Sequence, residues 1–135
     1  MRRRGRALIV FAAGLAALAL TACGRDDFEN DPRPPVAAEI SIQVTDDTLT
    51  VSPSDFGAGI ANFTIVNLGD TPTGVAIDGP TADESASVDP GNSTVLKMEM
   101  EQGDYEAASL ETNAKPFPFT VGTERESANN DLLLP

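Results

Sequence analysis

Apolar and polar residues alternate along most of the chain after residue 38, which is the pattern of strands with one buried face. The pattern is strongest over residues 60–68, where Phe63 and Ile65 would share one face and Thr64 the other. Residues 53–59, which carry Phe56, lack the alternation and are predicted to form a loop. The same pattern predicts further strands over residues 39–44, 48–52, 75–77, 94–101, 105–110 and 117–121.

Turn-forming residues separate these strands. Asp46-Asp47, residues 69–72 and residues 89–92 are the clearest examples, since glycine, proline, asparagine and aspartate favour turns. We find no convincing helical spacing between them. About seven or eight short strands with turn signals at close intervals are typical of an all-β sandwich. We therefore predict an all-β fold, an antiparallel Greek-key β-sandwich, over residues 39–122.

The N-terminus has a different pattern, in which four arginines precede an apolar run over residues 7–20. These 14 residues are fewer than the roughly 20 that a membrane-spanning helix needs, and they suit a signal peptide. The run ends in Leu20-Thr21-Ala22-Cys23, which resembles the lipobox of bacterial lipoproteins. The resemblance implies that residues 1–22 are removed and that Cys23 carries the lipid. A secreted protein with an incidental cysteine is the alternative.

Two further segments flank the predicted sandwich. Residues 23–38 are acidic, contain prolines and have few large apolar side chains, so we predict a tether between the lipid and the domain. Residues 123–135 are polar except for the run from Leu132 to Leu134, and we predict a disordered tail. The leucine run could alternatively be a docking peptide.

Charge and composition exclude several classes of function. The signal segment holds four of the nine basic residues and none of the 21 acidic ones, so residues 23–135 carry a formal net charge of −16. Such a surface repels nucleic acid, which we exclude as a partner. The chain has no histidine, the commonest general base and transition-metal ligand. With no catalytic base in view, we expect a protein that is not an enzyme.

Two segments resemble the cupredoxin family. Residues 63–77, FTIVNLGDTPTGVAI, resemble the family's F-x-V-x-N-x-G-x-x-x-H-x-F-x-I segment. Residues 91–96 and 103–109 resemble its turn, its next strand and its G-x-Y-x-x-x-C approach to copper. The resemblance implies a cupredoxin-like sandwich in which Asn67 braces neighbouring loops.

The copper ligands of the family do not carry over onto this chain. Its first histidine falls on Thr73 and its cysteine falls on Ser109. The loop after Ser109 contains neither histidine nor methionine. A type 1 copper centre needs a thiolate and two imidazoles, and residues 24–135 supply neither. We therefore expect no cofactor and a sandwich without its metal.

Three other side chains are candidates for chemistry or contact. Met98 and Met100 lie on one face of a predicted strand, where two thioethers could bind Cu(I), although two core residues would show the same spacing. We favour the core interpretation. Phe117 lies between two prolines, so it could be an exposed contact or could plug the end of the sandwich where a copper loop would lie.

These observations predict a lipid-anchored module outside the cytoplasmic membrane. The membrane is its first partner, through the lipid on Cys23, and the second is an unidentified protein or small molecule. The loop end with Thr73, Ser109 and Phe117 is the candidate contact surface. One alternative is a copper- or calcium-handling envelope protein that uses Met98 and Met100 or surface carboxylates. The other is a purely structural envelope component.

Overall fold

The computed structural model describes residues 34–126, which form an all-β fold of eight strands. The prediction of an all-β fold is confirmed. The predicted signal peptide and the lipobox lie outside these residues, as do most of the tether and of the tail. No helix in the described part is long and apolar enough to cross a membrane. The strands are β1 (Ala38–Val44), β2 (Leu49–Ser52), β3 (Asp55–Asn67), β4 (Val75–Asp78), β5 (Asp83–Glu84), β6 (Ser93–Met100), β7 (Gly103–Ser109) and β8 (Phe117–Glu124).

The eight strands form two sheets that share β3. Sheet A has the order β2-β1-β3-β6, and sheet B has the order β3-β8-β7-β4-β5. The prediction of a purely antiparallel arrangement is wrong in two places, because β1 and β8 both run parallel to β3. All other strand pairs are antiparallel. The sheets are therefore mixed.

Strand β3 is longer than the alternation predicted, and the predicted loop over residues 53–59 is wrong. The strand begins at Asp55, and its first residues pair with β8. The pairing shifts register between Gly57 and Ala58, which marks a β-bulge. Small residues here break the apolar and polar alternation, and Gly59 has a φ of 118°, which L side chains rarely adopt. The sequence pattern therefore hides this part of the strand.

One apolar core takes side chains from both sheets. The inward positions of β1 and β6 alternate with exposed ones, as predicted, and Phe63, Ile65 and Ile77 are fully buried. Four aromatic rings contact one another in and against this core, with ring centroids 5.5–6.2 Å apart. Contacts of this kind add to the free energy gained by burying the rings. The four rings belong to Phe56, Phe63, Tyr105 and Phe119.

Arg125 joins three parts of the chain at the end where β8 stops. Its Nε lies 3.1 Å from the carbonyl oxygen of Gly57 and 3.2 Å from that of Ala58. Its guanidinium also donates to the carbonyl of Ile60, at 2.6 Å, and to that of Val36. The side chain thus supplies donors to carbonyl groups around the bulge and holds the entering chain against β3. This makes Arg125 part of the domain, although the predicted boundary was residue 122.

Replacing Arg125 should therefore lower the stability of the domain. In Arg125→Ala the bulge carbonyls lose charged hydrogen bonds that water replaces only in part, and we expect a loss of about 1–2 kcal/mol in the free energy of unfolding. Urea unfolding of the full chain measures it. The control is Lys97→Ala, which removes an exposed cation from β6 and should change stability by less than about 0.5 kcal/mol. Equal effects would show that Arg125 acts only through its charge.

Candidate functional site

Four loops gather at the end of the sheets where β1, β3 and β7 finish. The loop after β7 contacts the end of β1, because the hydroxyl of Thr112 lies 3.4 Å from the carbonyl oxygen of Thr45. Val75 at the start of β4 is the register partner of Ser109 at the end of β7. This pairing brings Ser109 beside Thr73, which precedes β4 by two residues. We call this region the loop end; it comprises residues 45–48, 68–74, 85–92 and 110–116.

A chain of hydroxyl groups lies inside the loop end. The hydroxyl of Thr112 donates to Ser109 Oγ at 2.6 Å, and Ser109 Oγ lies 2.8 Å from Thr73 Oγ1. Thr73 in turn donates to Glu111 Oε2 at 2.8 Å. Each hydroxyl has one proton to donate. Because Thr73 gives its proton to the carboxylate, Ser109 must be the donor to Thr73, so the hydrogen bonds run in one direction and end at Glu111.

Glu111 closes this network at its other side. Its Oε2 also accepts a hydrogen bond from the backbone amide of Gly74 at 2.7 Å. Its own amide donates to Thr73 Oγ1 at 3.2 Å. Hydrogen bonds to a carboxylate are stronger than those between neutral groups, so Glu111 fastens the loop after β7 to the start of β4. Nothing in the sequence pattern indicates this role, since Glu111 there is one exposed acidic residue among many.

The predicted contact residues differ in how far they reach the surface. Thr73 is 0% exposed and Ser109 is partly buried. Their hydroxyl groups lie together, as the prediction placed them, but they bond to each other. Phe117 is half-buried and packs against the core, as a plug would, beside its β7 register partner Ala107. A partner at this end would therefore touch the loops around these side chains. Leu68 and Leu110 are the exposed large apolar residues there.

Asn67 braces two of the loops, as the resemblance led us to expect. Its side-chain amide is fully buried and donates to the carbonyl oxygens of Thr71 and Val88, both at 2.8 Å. Its side-chain oxygen accepts from the amide of Gly69 at 2.9 Å. A buried amide is stable only when such partners are present. Asn67 therefore fixes the positions of residues 69–71 and of the loop that precedes β6.

Asp46 caps the loop after β3 from the neighbouring turn. Its two carboxylate oxygens accept hydrogen bonds from the backbone amides of Asp70 and Thr71, each at 3.1 Å. Hydrogen bonds to the ionised form favour that form. The amide of Asp70 first, and Thr71 next, hold the pKa of the Asp46 carboxyl below its ordinary value. The cap is therefore stronger when Asp46 is ionised than when it is protonated.

The residues proposed as metal ligands lie elsewhere. Met98 and Met100 belong to the buried core, so their thioethers lie among apolar side chains. Within residues 34–126 no three acidic, cysteine or histidine side chains come together as a metal site would require. A shallow depression beside β4 and β5 is bordered by Asp78, Asp83 and Glu84, but these carboxylates do not converge.

The chain matches no protein-family model, and no curated protein sequence matches it either. The role of the loop end therefore has to be argued from its own geometry. That geometry is a closed hydrogen-bonded network, since no buried side-chain nitrogen or oxygen in the described residues lacks a partner. Such a network rigidifies the loops that surround it.

Removing the hydroxyl at the centre of the network should destabilise the protein. In Thr73→Val the shape is kept, but Ser109 and Glu111 lose a hydrogen-bond partner inside the protein. We expect a loss of about 1–3 kcal/mol in the free energy of unfolding. The matched control is Thr123→Val, at an exposed position near the end of β8, with an expected change below about 0.5 kcal/mol. Chemical denaturation compares the two, and equal losses would mean that the network is not stabilising.

The Asp46 cap should give the protein a specific dependence on pH. A lowered pKa means that the contribution of Asp46 is present above the unfolded-state pKa of about 3.9 and is lost as pH falls through the folded-state pKa. Asp46→Asn should therefore be less stable than the parent chain at neutral pH, and the difference should shrink towards about pH 2. Denaturation midpoints across this range measure it. Asp47→Asn, in the same turn, is the control; a constant gap for Asp46→Asn would contradict the cap.

Proposed function

We propose that this chain is a membrane-anchored lipoprotein outside the cytoplasm, whose metal-free, cupredoxin-like sandwich is a non-enzymatic binding or accessory module. The anchor rests on the four residues of the lipobox, Leu20-Thr21-Ala22-Cys23. Lipidation of Cys23 by more than one acyl chain would give stable attachment, because a single chain binds a bilayer only marginally.

The observation that carries the metal-free interpretation is the bond between Thr73 and Ser109. The resemblance places two copper ligands at these positions, and here two hydroxyls lie 2.8 Å apart and bond to each other. The Thr73 hydroxyl also lies within hydrogen-bond distance of Glu111 and of the Gly74 carbonyl oxygen, and Ser109 accepts a hydrogen bond from Thr112. A closed hydroxyl network takes the place of a metal as the element that joins β4, β7 and the following loop. The domain therefore needs no metal to hold this end together.

Two features support a Greek-key, cupredoxin-like arrangement. The chain passes between the sheets after β3, after β5 and after β6, so consecutive strands do not simply form hairpins. Tyr105, 3% exposed, accepts a hydrogen bond from the amide of Glu101, four residues upstream, at 3.1 Å. A buried tyrosine bonded back to the chain just before it is the tyrosine corner of Greek-key sandwiches. Gly103 lies within this corner with a φ of 155°.

The entry point of the chain is compatible with the loop end as the contact surface. The guanidinium of Arg125 binds the carbonyl of Val36, so the chain enters the domain at the end opposite to Thr73 and Ser109. Residues 34–37 therefore leave the loop end uncovered, and Leu68 and Leu110 are exposed on it.

Intact mass and metal content of the protein from its native membrane test the proposal. We expect residues 23–135 with acyl chains and no stoichiometric metal. Cys23→Ala should leave the membrane fraction, because residues 24–135 contain no other cysteine to carry lipid. Thr21→Ser is the matched control, since it keeps a small residue before the cysteine and should still be processed. An unprocessed chain would overturn the anchor, and bound copper or calcium would favour the metal-handling alternative.

Photo-crosslinking separates a binding module from a purely structural envelope component. A photoreactive residue at Leu110, 44% exposed, should give one discrete adduct in the native membrane. The control position is Glu106, exposed on β7 away from the loop end. Adducts at neither position would favour the structural alternative.

A further inference from the structure

The loop between β3 and β4 is held mainly by side chains rather than by backbone pairing. We call residues 69–74, GDTPTG, the strap. Proline leaves the strap with five backbone amides, and only that of Thr73 donates to a backbone carbonyl, that of Val88 at 3.1 Å. The other four amides donate to side-chain oxygens at 2.7–3.1 Å. The closure of the strap therefore depends chiefly on its side-chain partners.

Two carboxylates accept most of these hydrogen bonds. Asp46, in the turn after β1, accepts from the two amides of residues 70–71. Glu111, in the loop after β7, accepts from the amide of Gly74 and from the hydroxyl of Thr73. A protonated carboxyl accepts such bonds more weakly than an ionised one. The two ends of the strap are therefore held by the charge of two residues that lie outside it.

The strap also packs closely against the elements that carry these carboxylates. A Cβ atom on Gly69 would lie 2.9 Å from the backbone nitrogen of Asp46. A Cβ atom on Gly74 would lie 3.0 Å from Cδ1 of Leu110, which belongs to the same loop as Glu111. Glycine permits these close approaches and also leaves the backbone free to change conformation. The strap therefore fits closely when shut, and its two ends are suited to act as hinges.

No other charged side chain within residues 34–126 accepts a hydrogen bond from a strap amide, because each amide has one of the partners given above. The remaining charged groups of the surrounding elements contribute to the electrostatic field there, but they do not hold the strap. They are Asp47, Asp70, Asp89 and Lys115 in the loop end, and Asp83 and Glu84 in β5.

We propose that the strap opens as one unit, separately from the two sheets, and that ionised Asp46 and Glu111 keep it shut. Local opening of this kind is expected where a segment has few backbone hydrogen bonds and exposed residues at its centre. Opening would free the hydroxyls of Thr73 and Ser109 and so change the surface proposed for a partner. That consequence rests on the proposed function, but the opening itself does not, since it is a property of the chain alone.

Amide exchange with water, measured residue by residue by NMR on the full chain in non-ionic detergent at about pH 7, tests the proposal. Asp46→Asn removes charge at one end of the strap, and Glu111→Gln removes it at the other. If the strap opens as a unit, each variant should speed exchange of every strap amide by at least about threefold, including Gly74 in Asp46→Asn. Faster exchange confined to the amides that bond to the changed side chain would overturn the proposal. Exchange that neither variant changes would also overturn it.

The matched control removes the same charges at positions that bind no strap amide. The double variant Asp46→Asn, Glu111→Gln should speed strap exchange by about tenfold, because separate contributions multiply. Asp47→Asn combined with Glu106→Gln should leave it within about 1.5-fold. The amide of Phe63, within the sheets, should keep the exchange rate of the parent chain in every variant. If it accelerates by the same factor as the strap, the whole domain is opening and the proposal is wrong.

Acid should open the strap of the parent chain. The amide of Asp70 first, and Thr71 next, hold the pKa of the Asp46 carboxyl below its ordinary value. This hold is therefore present above the unfolded-state pKa of about 3.9 and is lost as pH falls through the folded-state pKa. Between about pH 6 and pH 2.5 the amide resonances of the strap should move together while those of the sheets stay in place. A strap that keeps its resonances, or that moves only together with the sheets, would contradict the proposal.

Discussion

The fold depends on a change of partner along β3. A strand has two edges for backbone pairing, but β3 pairs with three strands, β1, β6 and β8. No single residue of β3 can therefore pair with all three. Its first residues pair with β8, and the rest lie between β1 and β6. The bulge at Gly57 and Ala58 is where the exchange occurs, and it leaves carbonyl groups that no strand fully satisfies. Arg125 donates hydrogen bonds to these carbonyl groups. The C-terminal end of the described residues therefore completes the junction between the two sheets.

A second constraint is the burial of polar groups at the loop end. Thr73 and Asn67 are fully buried, and each would destabilise the fold if it lacked partners. Ser109 and Glu111 are the hydrogen-bond partners of Thr73, and backbone groups of the loops are those of Asn67. These bonds are directional, so they fix loop geometry more tightly than apolar contacts of the same area. A rigid, fully bonded end is the property that the proposed binding module requires.

The sequence predicted what depends on local pattern. Alternation placed most of the strands and the inward side chains of β6, since burial of one face imposes a period of two. It did not reveal that β1 and β8 run parallel to β3, because the alternation is the same for either direction. The start of β3 was not predicted, because Gly57 and Gly59 have no side chain that would indicate which face of the strand is buried. Glu111 and Arg125 were missed because an exposed charged residue gives no sign of the distant backbone that it will bind.

Two of the acidic residues also have a structural role at the loop end. Composition alone indicates only an acidic surface, but Asp46 and Glu111 each accept hydrogen bonds from backbone amides of residues 68–74, a loop distant from both in sequence. Acidic side chains from two of the four loops therefore hold a third, residues 68–74, in place. The acidic composition therefore contributes to the order of the loop end as well as to the charge of the surface.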